Sequence, residues 1–123
     1  MSNTLNIALL QTDLTWENPE KNRLHFSEKI DAITAQVDII VLPEMFTSGF
    51  TMHPSSVAET MDGETMSWLK TTAAKKQSAI TGSLVIKEND NYYKNKFFHG
   101  CHRGLPHGFL SNVLVNLFDR EYT

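Results

Sequence analysis

The sequence predicts an α/β fold in the order β-α-β-α-β-β, and three observations carry that expectation. Two short, mostly apolar runs at residues 5–10 and 37–42 have the composition of strands buried on both faces. The segment between them has helical spacing, so the first elements read β, α, β. Two later runs flank a polar stretch at residues 87–91, the pattern of a hairpin.

The first run, nearly continuous in apolar residues, ends in Gln11, Thr12 and Asp13. Asn18 then stands where a helix cap belongs, ahead of Pro19, whose fixed φ and missing N–H suit a first helical position. Phe26, Ile30, Ile33 and Val37 recur at offsets of four, three and four and share one helical face. The second run is β-branched and is bounded by Gln36 and Pro43. A strand that returns after a crossover helix pairs parallel to the first, so the C-terminal ends of both strands share an edge. Ligands bind along that edge in open α/β sheets, and it carries Gln11 to Asp13 together with Pro43 and Glu44.

Residues 45–62 lack a sustained period and read as a long loop over the strand ends. Helical spacing resumes over residues 63–77, with Met66, Leu69 and Ala73 inward and Lys70, Lys75 and Lys76 on a solvated face. Residues 78–86 and 92–98 then form the two hairpin strands, and residues 113–118 have the composition of one more strand.

The chain has 123 residues and a formal net charge of −3, so it offers no basic field to gather nucleic acid or anionic lipid. A small-molecule substrate or a protein partner fits better. No run is long and apolar enough to span a bilayer, and the amino terminus lacks a signal-peptide pattern, which together read as a cytoplasmic protein. One cysteine, Cys101, closes no internal disulfide.

Glu44 is the leading candidate for chemistry. Pro43 biases the backbone away from helix and lets the carboxylate project from a stiff strand end, where Leu42, Met45 and Phe46 are expected to desolvate it and raise its pKa. On its own, a Pro-Glu pair after a strand fits a solvated turn as well as a base. The tail offers two other sets: Cys101 beside His102 and Arg103, and the zinc-suited ligand types His99, Cys101, His102 and His107, whose spacing is that of no recognised finger. Both also fit a solvated, structural tail.

The run from Val41 to Phe50, Val-Leu-Pro-Glu-Met-Phe-Thr-Ser-Gly-Phe, read with Ile7 to Asp13, Gly63, Trp68-Leu69, Ile80 to Leu84 and Tyr92-Tyr93, resembles the nitrilase, or carbon–nitrogen hydrolase, superfamily. The Pro-Glu-Met-Phe-Thr-x-Gly-Phe segment is similar to the omega-amidase branch, which hydrolyses side-chain amides of 2-oxo acids such as 2-oxoglutaramate. The resemblance implies an α/β/β/α sandwich, of which residues 1–98 supply the N-terminal half. It further implies Glu44 as general base and Phe46 and Phe50 beside the substrate, with no cofactor or metal.

The superfamily's reaction also needs a lysine and a cysteine, since an amide carbonyl demands an activated thiolate and oxyanion stabilisation. Lys94 and Lys96 fall inside the expected hairpin, no lysine follows Lys96, and Cys101 comes too early and in the wrong context. Residues 99–123 therefore read as a divergent tail, either truncated or shifted in frame. Under permitted codon choices a one-nucleotide shift across residues 99–105 reads Met-Asp-Ala-Thr-Gly-Asp-Tyr, a hairpin turn that suits the superfamily. By this reading the chain alone is inactive, and its uncovered sheet makes a homo-oligomer or an association module. A nucleotide-binding domain is disfavoured, because no glycine-rich phosphate loop follows the first strand.

Overall fold

The structure, a computed structural model, describes residues 4–100 and 120–121. A five-stranded sheet runs β1 (Ile7–Leu9), β2 (Ile39–Val41), β3 (Ala79–Glu88), β4 (Asn91–Gly100) and β5 (Arg120–Glu121), neighbours in sequence being neighbours in space. The first three strands are parallel, with Ile7 opposite Ile39 and Ile39 opposite Ala79. The last three are antiparallel. This is the α/β order that the sequence predicts; the expected strand at residues 113–118 lies outside the described residues.

Helix α1 (Pro19–Asp31) starts as its sequence dictates: the Asn18 side chain accepts the Lys21 N–H at 3.1 Å, and Pro19 opens the first turn. Asn22, Phe26 and Ile30 form its buried face. The helix stops before Ile33 and Val37, whose spacing placed them on the same face. Ala32 caps it, and the Ile33 N–H turns back onto the Ile30 carbonyl at 3.0 Å, so the chain can drop to the sheet.

Within the expected loop, Pro54–Val57 forms a single helical turn, α2, and Glu59 bridges to Ile86 beside β3. Helix α3 (Glu64–Lys76) buries Met66, Leu69 and Ala73 as predicted, and ends on Gln77 in the left-handed conformation. Lys70 is solvated, whereas Lys75 pairs with Asp31 at 3.0 Å and Lys76 donates to the Ile33 carbonyl at 3.1 Å. The expected solvated face thus partly ties α3 to the end of α1. The hairpin is longer than its composition indicated, closing on Asn89 and Asp90 with φ of 50° and 67°, the signature of a type I′ turn.

Helices cover one face of the sheet, and the other is buried along β3, at Ala79, Ser83 and Val85, and open along β1. Phe26 and Ile30 from α1 and Met66, Leu69 and Ala73 from α3 pack on Ile40, Ile80, Leu84 and Ile86, with Ala8 and Leu10 at the margin. Because side chains alternate along a strand, Val85 projects from the far side of β3, where Met45 and Val57 cover it. The expectation that the first strand is buried on both faces is overturned: Ile7 and Leu9 are 52% and 75% exposed, and Leu5 just before them is 60% exposed. Strand β1 is an edge strand, and among the described residues nothing lies over the side that carries Ile7 and Leu9. Apolar composition reports what a strand is suited to bury, not whether its second face is covered.

Candidate active site

Beyond Val41 the chain continues along β3 for one more backbone bond, Leu42 N–H to the Thr81 carbonyl at 2.8 Å, and then turns sharply. Glu44 sits at that corner. Its side chain is exposed and forms one wall of a cleft of about 230 Å³, otherwise lined by Val41, Leu42, Thr81, Gly82 and Ser83. The expected desolvation by its apolar neighbours is not seen. Phe46 packs in the core under the helices, Met45 packs with Val57 and Val85, and Leu42, though part of that core, also borders the cleft.

The corner is held from below by β3. Met45 adopts φ of 51°, and its buried N–H donates to the Ser83 hydroxyl at 2.8 Å; the next amide, Phe46 N–H, reaches the Ser83 carbonyl at 3.1 Å. The Met45 carbonyl then accepts from Ser48 at 3.1 Å and Gly49 at 2.7 Å, closing a compact turn that Gly49 leaves with φ of 71°. Phe46 is fully buried, its ring centroid 5.8 Å from Phe26 in an edge contact and 5.9 Å from Trp68. It was expected beside the substrate; with no exposed surface it packs the floor of the site instead. A Cβ on Gly82 would come within 2.9 Å of the Phe46 ring, so the glycine makes room for it.

From the side, the corner is held by the loop after β1. Asn22, 1% exposed, donates to the Thr47 carbonyl at 2.6 Å and to the Thr15 carbonyl at 2.7 Å, and accepts the Thr15 N–H at 2.8 Å. Glu17 N–H reaches the Ser48 carbonyl at 2.8 Å, and the Glu17 carboxylate accepts the Thr51 hydroxyl. Trp16 Nε1 donates to the Phe50 carbonyl at 2.8 Å. Phe50 and Trp16 are 70% and 63% exposed. Trp16, Glu17, Asn22 and Ser83 were not singled out from the sequence. Only Asn22 left a signal, as a polar residue in line with Phe26 and Ile30 at helical spacing.

A wider cleft of about 590 Å³ lies between α1 and the 56–64 segment, with Arg23 on its wall. Arg23 is engaged by Glu64 at 2.8 Å, Glu59 at 3.5 Å and Thr65 at 2.9 Å, a network that fastens α1 to α3. Among the described residues no group of three histidine, cysteine, aspartate or glutamate side chains could hold a metal ion, and no helix is long and apolar enough to cross a membrane. Cys101, His102 and His107 lie outside the described residues. Lys94 and Lys96 fall within β4, opposite Val85 and Ser83 in register.

Residues 6–100 match the model of the carbon-nitrogen hydrolase family. The chain is 37% identical over 117 residues to omega-amidase YafV of Escherichia coli, covering 95% of this chain and 44% of that protein. It is 29% identical over 93 residues to the 2-oxoglutaramate amidase of Bacillus subtilis, covering 74% of this chain and 36% of the relative. A CN-hydrolase superfamily protein from Xanthomonas campestris, solved with an arsenic adduct in its active site, superposes with a TM-score of 0.75 at 34% identity over 79% of this chain and 37% of that one. An N-terminal amidase superposes with a TM-score of 0.71 over 97% of this chain and 28% of the other, and at 15% identity this is a likeness of fold alone. The chain spans less than half the length of the curated relatives it matches.

Proposed function

Because this chain belongs to the carbon-nitrogen hydrolase family, we propose that it serves the hydrolysis of linear amides of 2-oxo acids, 2-oxoglutaramate foremost, with Glu44 as the general base. The observation that carries the reading is the place of Glu44: at the C-terminal edge of parallel strands, on the wall of a cleft, and on a turn fixed from two sides. Its identity to the Escherichia coli omega-amidase and the Bacillus 2-oxoglutaramate amidase supports the substrate class.

In the cycle that the resemblance implies, a glutamate takes the proton of a cysteine thiol and the thiolate attacks the amide carbon. The C–N bond breaks as ammonia leaves, a thioester remains, and water activated by the same carboxylate releases the acid. In this reading Glu44 supplies the base, Phe50 flanks the substrate, and Phe46 supports the base from the core. The partner lysine and cysteine have no matching positions in this chain, so the 123-residue polypeptide on its own does not turn over.

The test is ammonia release from 2-oxoglutaramate. The chain alone is expected to be silent. A chimera in which residues 6–100 replace the matching part of the Escherichia coli omega-amidase is expected to be active and to lose activity on Glu44→Gln. An active chimera indifferent to that substitution refutes the role of Glu44. Turnover by the chain alone that disappears on Cys101→Ala refutes the placement of the nucleophile elsewhere.

The exposed row of Leu5, Ile7 and Leu9 favours a second reading, an association module that forms a homo-oligomer through the open sheet face. Sedimentation should show a species larger than the monomer that dissociates on Leu9→Lys. A monomer at all concentrations counts against this reading.

A further inference from the structure

Backbone strain in this protein gathers at one place. Five described non-glycine residues have positive φ: Glu17, Met45, Gln77, Asn89 and Asp90. Three of them are explained by local geometry. Gln77 ends α3 in the usual left-handed cap, and Asn89 and Asp90 form the two-residue turn between β3 and β4. Glu17 and Met45 remain, one on each of the two loops joined at the C-terminal edge of the sheet. A long unbranched side chain has no local preference for φ of 51°, so Met45 is kept there by its surroundings.

Those surroundings centre on a single side chain. Ser83 is 1% exposed, and its hydroxyl takes the Met45 N–H at 2.8 Å while its own carbonyl takes the Phe46 N–H at 3.1 Å. Were the hydroxyl absent, the Met45 N–H would be buried without that acceptor and the left-handed turn would lose the contact that favours it over an extended alternative. A flip to negative φ at Met45 redirects the peptide that joins it to Glu44, and with it the direction in which the carboxylate leaves the strand. Ser83 also lines the cleft that Glu44 borders, so the residue that fixes the turn lies beside the group whose aim the turn sets.

We infer that Ser83 is a positioning residue for the Glu44 carboxylate, acting through the left-handed turn at Met45. The inference deepens the proposed function and rests on Glu44 being its base. Its test nevertheless uses no turnover, so the two fail separately: the chimera assay judges Glu44, and the following measurement judges Ser83.

The full chain is compared with its Ser83→Ala and Ser83→Thr forms by NMR. Ser83→Ala should speed amide exchange at Met45 by roughly tenfold or more, the factor expected for one lost buried hydrogen bond, with the Ile40 and Ile80 amides changing far less. The Glu44 carboxyl resonance should move with it, and Ser83→Thr, which keeps a hydroxyl, should restore both. If Ser83→Ala does not fold, Ser83→Cys carries the comparison, because the thiol fills the site as a weaker acceptor. Exchange that rises equally at Met45, Ile40 and Ile80 would show a merely structural serine and overturn the inference. So would a Glu44 resonance that stays fixed while Met45 opens.

Discussion

Replacing Gly82 with alanine tests how tightly the floor of the site is packed. The added Cβ would stand 2.9 Å from Phe46 Cδ1, 3.1 Å from Phe46 Cε1 and 3.2 Å from Leu42 Cβ. The Phe46 ring cannot swing aside, because Phe26 meets it edge-on at 5.8 Å and Trp68 lies at 5.9 Å. Leu42 Cβ is fixed by a backbone bonded to Thr81. Overpacking of this kind costs about 1–3 kcal/mol. Alanine in a strand recovers roughly 0.5–1 kcal/mol of the backbone entropy that glycine loses. The steric term wins, and the net loss is about 1–2 kcal/mol, or roughly 4–8 °C in melting temperature for a domain of this size. Urea unfolding with an unchanged slope is the assay. Phe46→Leu should relieve the clash, so in that background Gly82→Ala should cost less than about 0.5 kcal/mol, a coupling that a double-mutant cycle reads directly. A Gly82→Ala protein as stable as the parent, or one equally destabilised beside Leu at position 46, would refute the reasoning.

Two further substitutions probe the supports of the Glu44 turn and the hairpin. Asn22→Ala removes three hydrogen bonds of 2.6, 2.7 and 2.8 Å between α1 and the two loops; it should cost about 2–3 kcal/mol and change Trp16 fluorescence, and a loss below ~0.5 kcal/mol would show that water replaces the amide. Asp90→Gly relieves a φ of 67° in a turn that favours glycine, and should stabilise by about 0.5 kcal/mol in the same urea assay; a destabilised variant would mean that the Asp90 side chain contributes more than its strain costs.

The elements were legible because their signals are local. Period 3.6 in α3, the Asn18-Pro19 start of α1 and the β-branched run before Pro43 depend on a few neighbouring residues. What was not legible depends on distant chain. Ile33 and Val37 keep helical spacing yet lie beyond α1, because the end of a helix is set by where the next strand must begin. Phe46 and Phe50 look alike in the sequence, but one is fully buried against Phe26 and Trp68 and the other is 70% exposed. The exposure of Glu44 follows the same rule: apolar neighbours along the chain point to both sides of a strand end and so do not enclose the residue between them. Ser83 reads as an ordinary strand position, and only the return of Met45 across β3 gives its hydroxyl a task.

The open side of β1 and the exposed Glu44 adjoin one another. Leu9, Val41 and Thr81 are paired across β1, β2 and β3, so their side chains share a face, and Val41 and Thr81 also line the Glu44 cleft. The cleft is the end of the exposed apolar row that begins at Leu5 and Ile7. A surface that covers this row, from the rest of a family domain in the chimera or from a second copy, would border the cleft that Glu44 lines. A charge at Leu9 then acts through that surface: in an active chimera, Leu9→Lys should lower turnover together with stability, although Leu9 does not line the cleft. If Leu9→Lys unfolds nothing and leaves turnover intact, the cover does not lie on this face, and the link between the open row and the base is broken.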